Sequence, residues 1–121
     1  MKDRTYDLEE RLINFVLLVD EIIEKLPSTR LSNHLSGQMI RSSTSPALNY
    51  GEAQAEESQK DFVHKMQVVL KELRETKVCL KIIYKKNFLK DKEVLPIIKE
   101  NDELLAIFAK RIKTAKSKLG H

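Results

Sequence analysis

Three stretches of this chain carry apolar residues at alternating steps of four and three, and that spacing restricts the fold more than any other feature. Leu8, Leu12, Phe15, Val19, Ile22 and Leu26 form one stripe. Phe62, Met66, Val69, Leu73, Thr76, Leu80 and Ile83 form a second, flanked by Val63, Leu70 and Tyr84. Val94, Ile98, Asn101, Leu105, Phe108, Ile112, Ala115 and Leu119 form a third. Side chains at this period share one face of an α-helix, and each face must be covered by a partner.

A fourth helix is expected between the first two stripes, although its residues look ill-suited to it. Leu31, Leu35, Met39, Pro46 and Tyr50 are its larger apolar residues. The rest of its inner face is small or polar: Ser42, Ser43, Ser45, Asn49 and Ala53. Small side chains allow close helix approach, and hydroxyls can bond back to carbonyls one turn earlier. Pro46 removes one backbone bond and is expected to bend this helix.

Punctuation divides the chain into helices at about 5–26, 30–57, 59–87 and 92–118. Pro27 and Ser28 close the first. Ser58-Gln59-Lys60-Asp61 reads as a capping box opening the third. Asn87 and the charged run Lys90-Asp91-Lys92-Glu93 read as the loop before the fourth, with Pro96 expected in its first turn, where a missing N–H costs little. Four helices with short connections make an antiparallel up-and-down bundle, all-α with a bent second helix, in one domain of 121 residues. The three glycines and three prolines are too few for a many-turned β fold.

Composition narrows the chemistry. The single cysteine, Cys79, rules out an intramolecular disulfide and a cysteine metal cluster. A reducing, cytoplasmic location is expected. The N-terminus MKDRTYDLEE reads as charged, without a signal peptide, and the apolar run Phe15 to Val19 is too short to span a bilayer. No phosphate loop, nucleophile elbow or CxxC motif is present. A di-metal bundle uses Glu-x-x-His pairs, but His34, His64 and His121 each lack a Glu three residues earlier. No metal, cofactor or catalytic residue is therefore expected, and Cys79 is read as packing.

The segments QMIRSSTS, NYGEAQAEESQKDF and HKMQVVLKELRET, with ELLAIFAKRIKTAK more weakly, resemble the bacterial four-helix bundle proteins also called 23S rRNA intervening-sequence proteins. Gln38, Arg41, Ser42, Thr44, Ser45, Asn49, Tyr50, Glu52 and Ala53 match the family pattern, as do Ser58, Asp61, Phe62 and Lys65, and then Lys71, Glu72, Glu75 and Thr76. The similarity spans residues 7 to 118. Pro46 and Cys79 depart from it, where an aliphatic and an aromatic residue are common. The resemblance implies an up-and-down bundle and assembly into a cyclic pentamer. It is also related to the accessory proteins of diversity-generating retroelements, in which a basic pentamer partners a reverse transcriptase and binds nucleic acid. The family name records a position within ribosomal RNA genes and implies no ribosomal role.

Two groups of side chains are candidates for function. Gln38, Arg41, Ser45, Asn49 and Glu52 lie along the second helix, with Glu72 and Glu75 facing the same way on the third. They are read as a structural polar network or subunit interface, with Arg41 paired to a carboxylate and Asn49 satisfying backbone opened by the bend. The second group is basic. Lys85, Lys86, Lys90 and Lys92 surround the third helix's end, and Lys110, Arg111, Lys113, Lys116 and Lys118 cluster near the fourth's. In an antiparallel bundle these are two patches at opposite poles. A ring would repeat each patch, and their summed field suits a phosphate backbone without sequence preference.

With a net charge of only +4, nucleic-acid contact is permitted rather than demanded. Two readings stand. The chain is a non-enzymatic homo-oligomeric interaction module that binds nucleic acid non-specifically or serves a nucleic-acid enzyme. Alternatively it is a purely structural or regulatory bundle that binds a protein partner.

Overall fold

The computed structural model describes residues 4–56 and 58–119. Its four helices are α1 (Arg4–Lys25), α2 (Arg30–Gln54), α3 (Gln59–Lys86) and α4 (Asp91–Ser117). Adjacent helices in chain order pack together, and α1 closes the ring against α4. Ion pairs report the antiparallel registers. Lys65 meets Glu52 between α3 and α2, Lys77 meets Asp102 between α3 and α4, and Lys25 meets Glu93 between α1 and α4.

The α2–α3 seam is the most extensive and the α1–α4 seam the thinnest. The small inner residues of α2 account for this. Ser42 and Ala53 are buried, and Ser42 meets Thr76 of α3, so the backbones approach closely where larger side chains would hold them apart. Helix α2 runs unbroken through Pro46, whose ring is buried. Proline carries no N–H to give to the carbonyl of Ser42, four residues earlier.

Each helix end has its own cause. Thr29 starts α2 by accepting a hydrogen bond from the Ser32 N–H at 3.1 Å. Helix α2 stops at Gln54 rather than near residue 57. Ala55 and Glu56 bond three residues back, to Glu52 and Ala53, which tightens the chain into a turn. Glu57 lies outside the described residues. Ser58 then caps α3, accepting from the Asp61 N–H at 3.0 Å. At the other end Asn87 adopts a left-handed conformation, φ 58°. Its N–H bonds Tyr84 and that of Phe88 bonds Ile83, the paired pattern of a Schellman stop. Phe88 folds back against the core.

The stripes of α1 and α3 are buried nearly as expected. Leu8, Leu12, Phe15, Val19 and Ile22 line the core from α1, and Met66, Val69, Leu73, Thr76, Leu80 and Ile83 line it from α3. Two details differ on α3: Val63 is buried while Phe62 is only partly so, and Tyr84 is exposed. On α4 the buried line is Val94, Ile97, Asn101, Leu104, Phe108, Ile112 and Ala115. Ile98 and Leu105, expected on that line, flank it instead. Successive residues point about 100° apart around a helix, so each of the pairs Ile97-Ile98 and Leu104-Leu105 offers two choices. The direction set by Asn101, Phe108 and Ala115 favours the first member of both. Pro96 is also one turn deeper than expected. The helix begins at Asp91, making Pro96 its sixth residue, on an exposed face.

Tyr50 and Phe108 meet edge to face in the core, with ring centroids 5.6 Å apart. No helix among the described residues is long and apolar enough to cross a membrane.

Candidate functional site

Arg41 projects from the outer edge of α2 towards α3. Its Nη1 lies 2.6 Å from Glu72 Oε2, and its Nη2 donates to Glu75. Glu72 is buried, so this carboxylate depends on the guanidinium for its charge balance. The two carboxylates in turn hold the Arg41 guanidinium firmly protonated, Glu75 more strongly than Glu72. A single cation engaging both acids staples α2 to α3.

The rest of the expected network resolves into separate contacts. Asn49 Nδ2 donates to the carbonyl and hydroxyl oxygens of Ser45, each at 2.9 Å. This corrects the role expected of Asn49. The carbonyl left open by Pro46 is that of Ser42, and Asn49 reaches Ser45, one turn behind itself. Glu52 pairs with Lys65 at 3.2 Å, and Gln38 is exposed. The hydroxyl back-bonds are real at Thr44, which donates to the Ile40 carbonyl at 2.7 Å, and at Ser36, which donates to Ser32. Ser42 does something else: its hydroxyl meets that of Thr76 on α3.

Two further interhelical contacts were not legible in the sequence. Arg11 on α1 grips Glu100 on α4 through two bonds of 2.8 Å and also reaches Glu103 at 3.1 Å. Lys77 and Asp102 close to 2.6 Å. Glu100 and Glu103 sit three residues apart, which puts them on one helix face, but only the fold brings Arg11 to that face.

Cys79 is buried, and desolvation pushes its thiol pKa up, which disfavours the reactive thiolate. Among the described residues no three His, Cys, Asp or Glu side chains converge on a point that could hold a metal. His121 lies outside the described residues.

The basic residues stand where the antiparallel topology requires. Lys85, Lys86, Lys90 and Lys92 are exposed at the pole where α3 ends and α4 begins. Lys110, Lys113, Lys116 and Lys118 are exposed at the opposite pole, and Arg111 is half-buried. None of the nine forms an ion pair with another described residue, in contrast to Arg11, Lys25, Arg41, Lys65 and Lys77.

The second pole has relief that the sequence did not reveal. The start of α3 and the end of α4 enclose an open cleft of about 580 Å³. Lys110, Arg111 and Lys118 line it together with Phe62, Ile107 and Gln59. A smaller groove of about 290 Å³ runs between α1 and α2, lined partly by Val16, Leu17, Ile23 and Ile40. Leu17 and Ile40 are more than half exposed there, as is Leu48 farther along α2.

A protein of unknown function from the S23 ribosomal protein family of Bacteroides thetaiotaomicron has a similar fold in its crystal structure. The two chains superpose with a TM-score of 0.82 at 22% identity, covering 92% of this chain and 99% of the other. Among curated proteins none matches this sequence. The family described as 23S rRNA-intervening sequence protein matches residues 4–110, almost the whole of the four-helix core. The chain belongs to that family.

Proposed function

We propose that this protein is a non-enzymatic, self-associating helical module that presents repeated basic patches to nucleic acid, either directly or as an accessory of a nucleic-acid enzyme in the cytoplasm. The observation that carries the reading is the set of nine cations at the two poles, all without an ion-pair partner among the described residues. Such side chains keep their charge available for phosphates, and neutralising phosphates releases counterions. With four or five cations per pole, one subunit binds weakly. A homo-oligomer, a pentamer by family resemblance, multiplies the contacts along one strand.

The α1–α2 groove supports self-association. Leu17, Ile40 and Leu48 are large apolar side chains left more than half exposed, and Leu17 and Ile40 share this groove; Val78 on α3 is exposed to a similar degree. The same surface also favours the second reading, a bundle that binds a protein partner and no nucleic acid.

A salt titration separates the two. Retention of labelled single-stranded and duplex RNA and DNA is measured from 50 mM salt upwards. The proposal expects binding at low salt whose logarithm falls linearly with the logarithm of salt concentration. No binding at 50 mM salt leaves only the protein-partner reading.

A further inference from the structure

We propose that the cleft between the start of α3 and the end of α4 is a subsite for single-stranded nucleic acid, taking one unstacked base against Phe62 and its phosphates on Lys110, Arg111 and Lys118. This rests on the nucleic-acid reading above and gives it a place and a strand preference.

The two basic poles differ in kind. At the first, Lys85, Lys86, Lys90 and Lys92 all stand exposed, and none of them lines a cleft described above. They can neutralise phosphates, and Tyr84 stands exposed just before them, but no cleft described above joins that ring to the lysines. At the second pole three cations rim a concavity with an apolar floor. Phe62 and Ile107 are partly buried, packed against the core on one side and facing the cleft on the other. A volume of about 580 Å³ lies within the range of small-molecule sites, roughly 300–1,000 Å³, and exceeds what a lone phosphate needs.

Polar groups complete the complementarity. Gln59 donates its Nε2 to the Ala115 carbonyl at 3.3 Å, which fixes the amide and leaves its Oε1 as an acceptor for an amino group on a base edge. Thr114 adds a hydroxyl to the wall. Asp61, in the first turn of α3, is not part of the lining.

This combination discriminates among anions. A simple anion uses the cations and ignores the aromatic ring. Duplex nucleic acid offers phosphates but keeps its base faces stacked inside. An unstacked base that carries its phosphates satisfies the ring and the cations together, and a strand adds further phosphates for the neighbouring lysines, which is how non-specific single-strand binders combine a charged groove with aromatic platforms.

The test uses fluorescence anisotropy with a labelled 12-nucleotide single strand and the duplex of the same sequence, against the full chain. Phe62→Leu keeps the apolar packing and removes the stacking face. The expected result is a loss of about tenfold in single-strand affinity, with duplex affinity and the salt slope unchanged. Arg111→Gln should weaken both and reduce the steepness of the single-strand salt dependence by about 0.7.

Phe62→Trp supplies a readout that does not depend on the leucine variant folding. The chain contains no tryptophan, so the new indole reports on this cleft alone. Its emission should be quenched by the single strand and not by the duplex. A mononucleotide that quenches as completely at equal concentration would assign the cleft to free nucleotides and overturn the proposal. Salt-sensitive single-strand binding that Phe62→Leu leaves intact, with no quenching of Phe62→Trp, would overturn this subsite while the broader reading stands. Absence of any binding by the unaltered protein at 50 mM salt would remove both.

Discussion

The hydroxyl oxygens of Ser42 and Thr76 lie 2.7 Å apart, both fully buried, in the middle of the α2–α3 seam. Thr76 also donates to the Glu72 carbonyl one turn earlier, at 3.2 Å. A hydroxyl has one proton, so Ser42 is the donor and Thr76 the acceptor in the contact between helices. Directly beside it, Arg41 reaches Glu72 and Glu75. The Ser/Thr run is thus a close helix crossing, with one polar contact inside and a charged clamp at its edge.

The direction of that bond sets the order of two mutants. Ser42→Ala leaves Thr76 bonded to Glu72 and should cost about 0.5–1.5 kcal/mol. Thr76→Val leaves the Ser42 proton without its acceptor and should cost about 1–3 kcal/mol. The double mutant removes both groups and should be milder than the sum. Denaturant melts of the three variants check this, and strict additivity would contradict the hydrogen-bonded pairing.

Arg41→Gln should lower the stability of the protein, because it leaves the buried Glu72 carboxylate without its cation. Glu72→Gln in the same chain should recover most of that loss. If the double variant melts no higher than Arg41→Gln alone, the clamp is not what balances Glu72.

The chain's periodicity was enough to locate the inner face of α1 and most of that of α3, even where apolar neighbours such as Phe15-Val16 and Ile22-Ile23 double the step, although at Phe62-Val63 the packing chose the second member. It was not enough for α4, where Ile97-Ile98 and Leu104-Leu105 fit the period either way and the packing of Phe108 decided. The Arg41 clamp was legible because α2 and α3 are neighbours in sequence and must face each other. The Arg11–Glu100 grip was not, since it joins the first helix to the last and nothing local marks which faces meet. The lysine clusters could be read directly, since Lys110 to Lys118 hold no acidic residue and the other cluster surrounds the end of the third helix in sequence. The cleft could not, because Phe62 reaches Arg111 only when the start of α3 packs on the end of α4.

Glu93 on α4 accepts a hydrogen bond from the Lys90 N–H at 3.1 Å and pairs with Lys25 at 3.4 Å. The backbone bond chiefly, with help from Lys25, holds its pKa below the usual carboxylate value of 4.5. A depressed folded-state pKa contributes stability above the unfolded value, and that contribution is lost as pH falls through the folded one. Stability should therefore fall as pH drops below 4.5, and Glu93→Gln should flatten the fall. Chemical denaturation at several pH values checks this; identical pH profiles would contradict it.

Gly37 and Gly51 lie inside α2 on its exposed side, and an added Cβ at either would meet nothing within 4 Å. Alanine loses less freedom on folding, so Gly37→Ala and Gly51→Ala should each raise stability by about 0.5–1 kcal/mol. Thermal melts at a concentration where the protein does not change its state of association measure it. A fall in either melting temperature would show that the site is closer packed than the single chain allows.

Self-association is central to the proposed function, because repetition turns a few lysines into a strand-binding surface. The direct measurement is the mass in solution by light scattering after size exclusion. The expected result is a multiple of the 14.0 kDa chain, fivefold for the ring that the family resemblance implies. Leu17→Lys with Ile40→Glu should reduce that mass without loss of helicity. A monomer at 14.0 kDa, at every concentration tried, would contradict the proposed self-association.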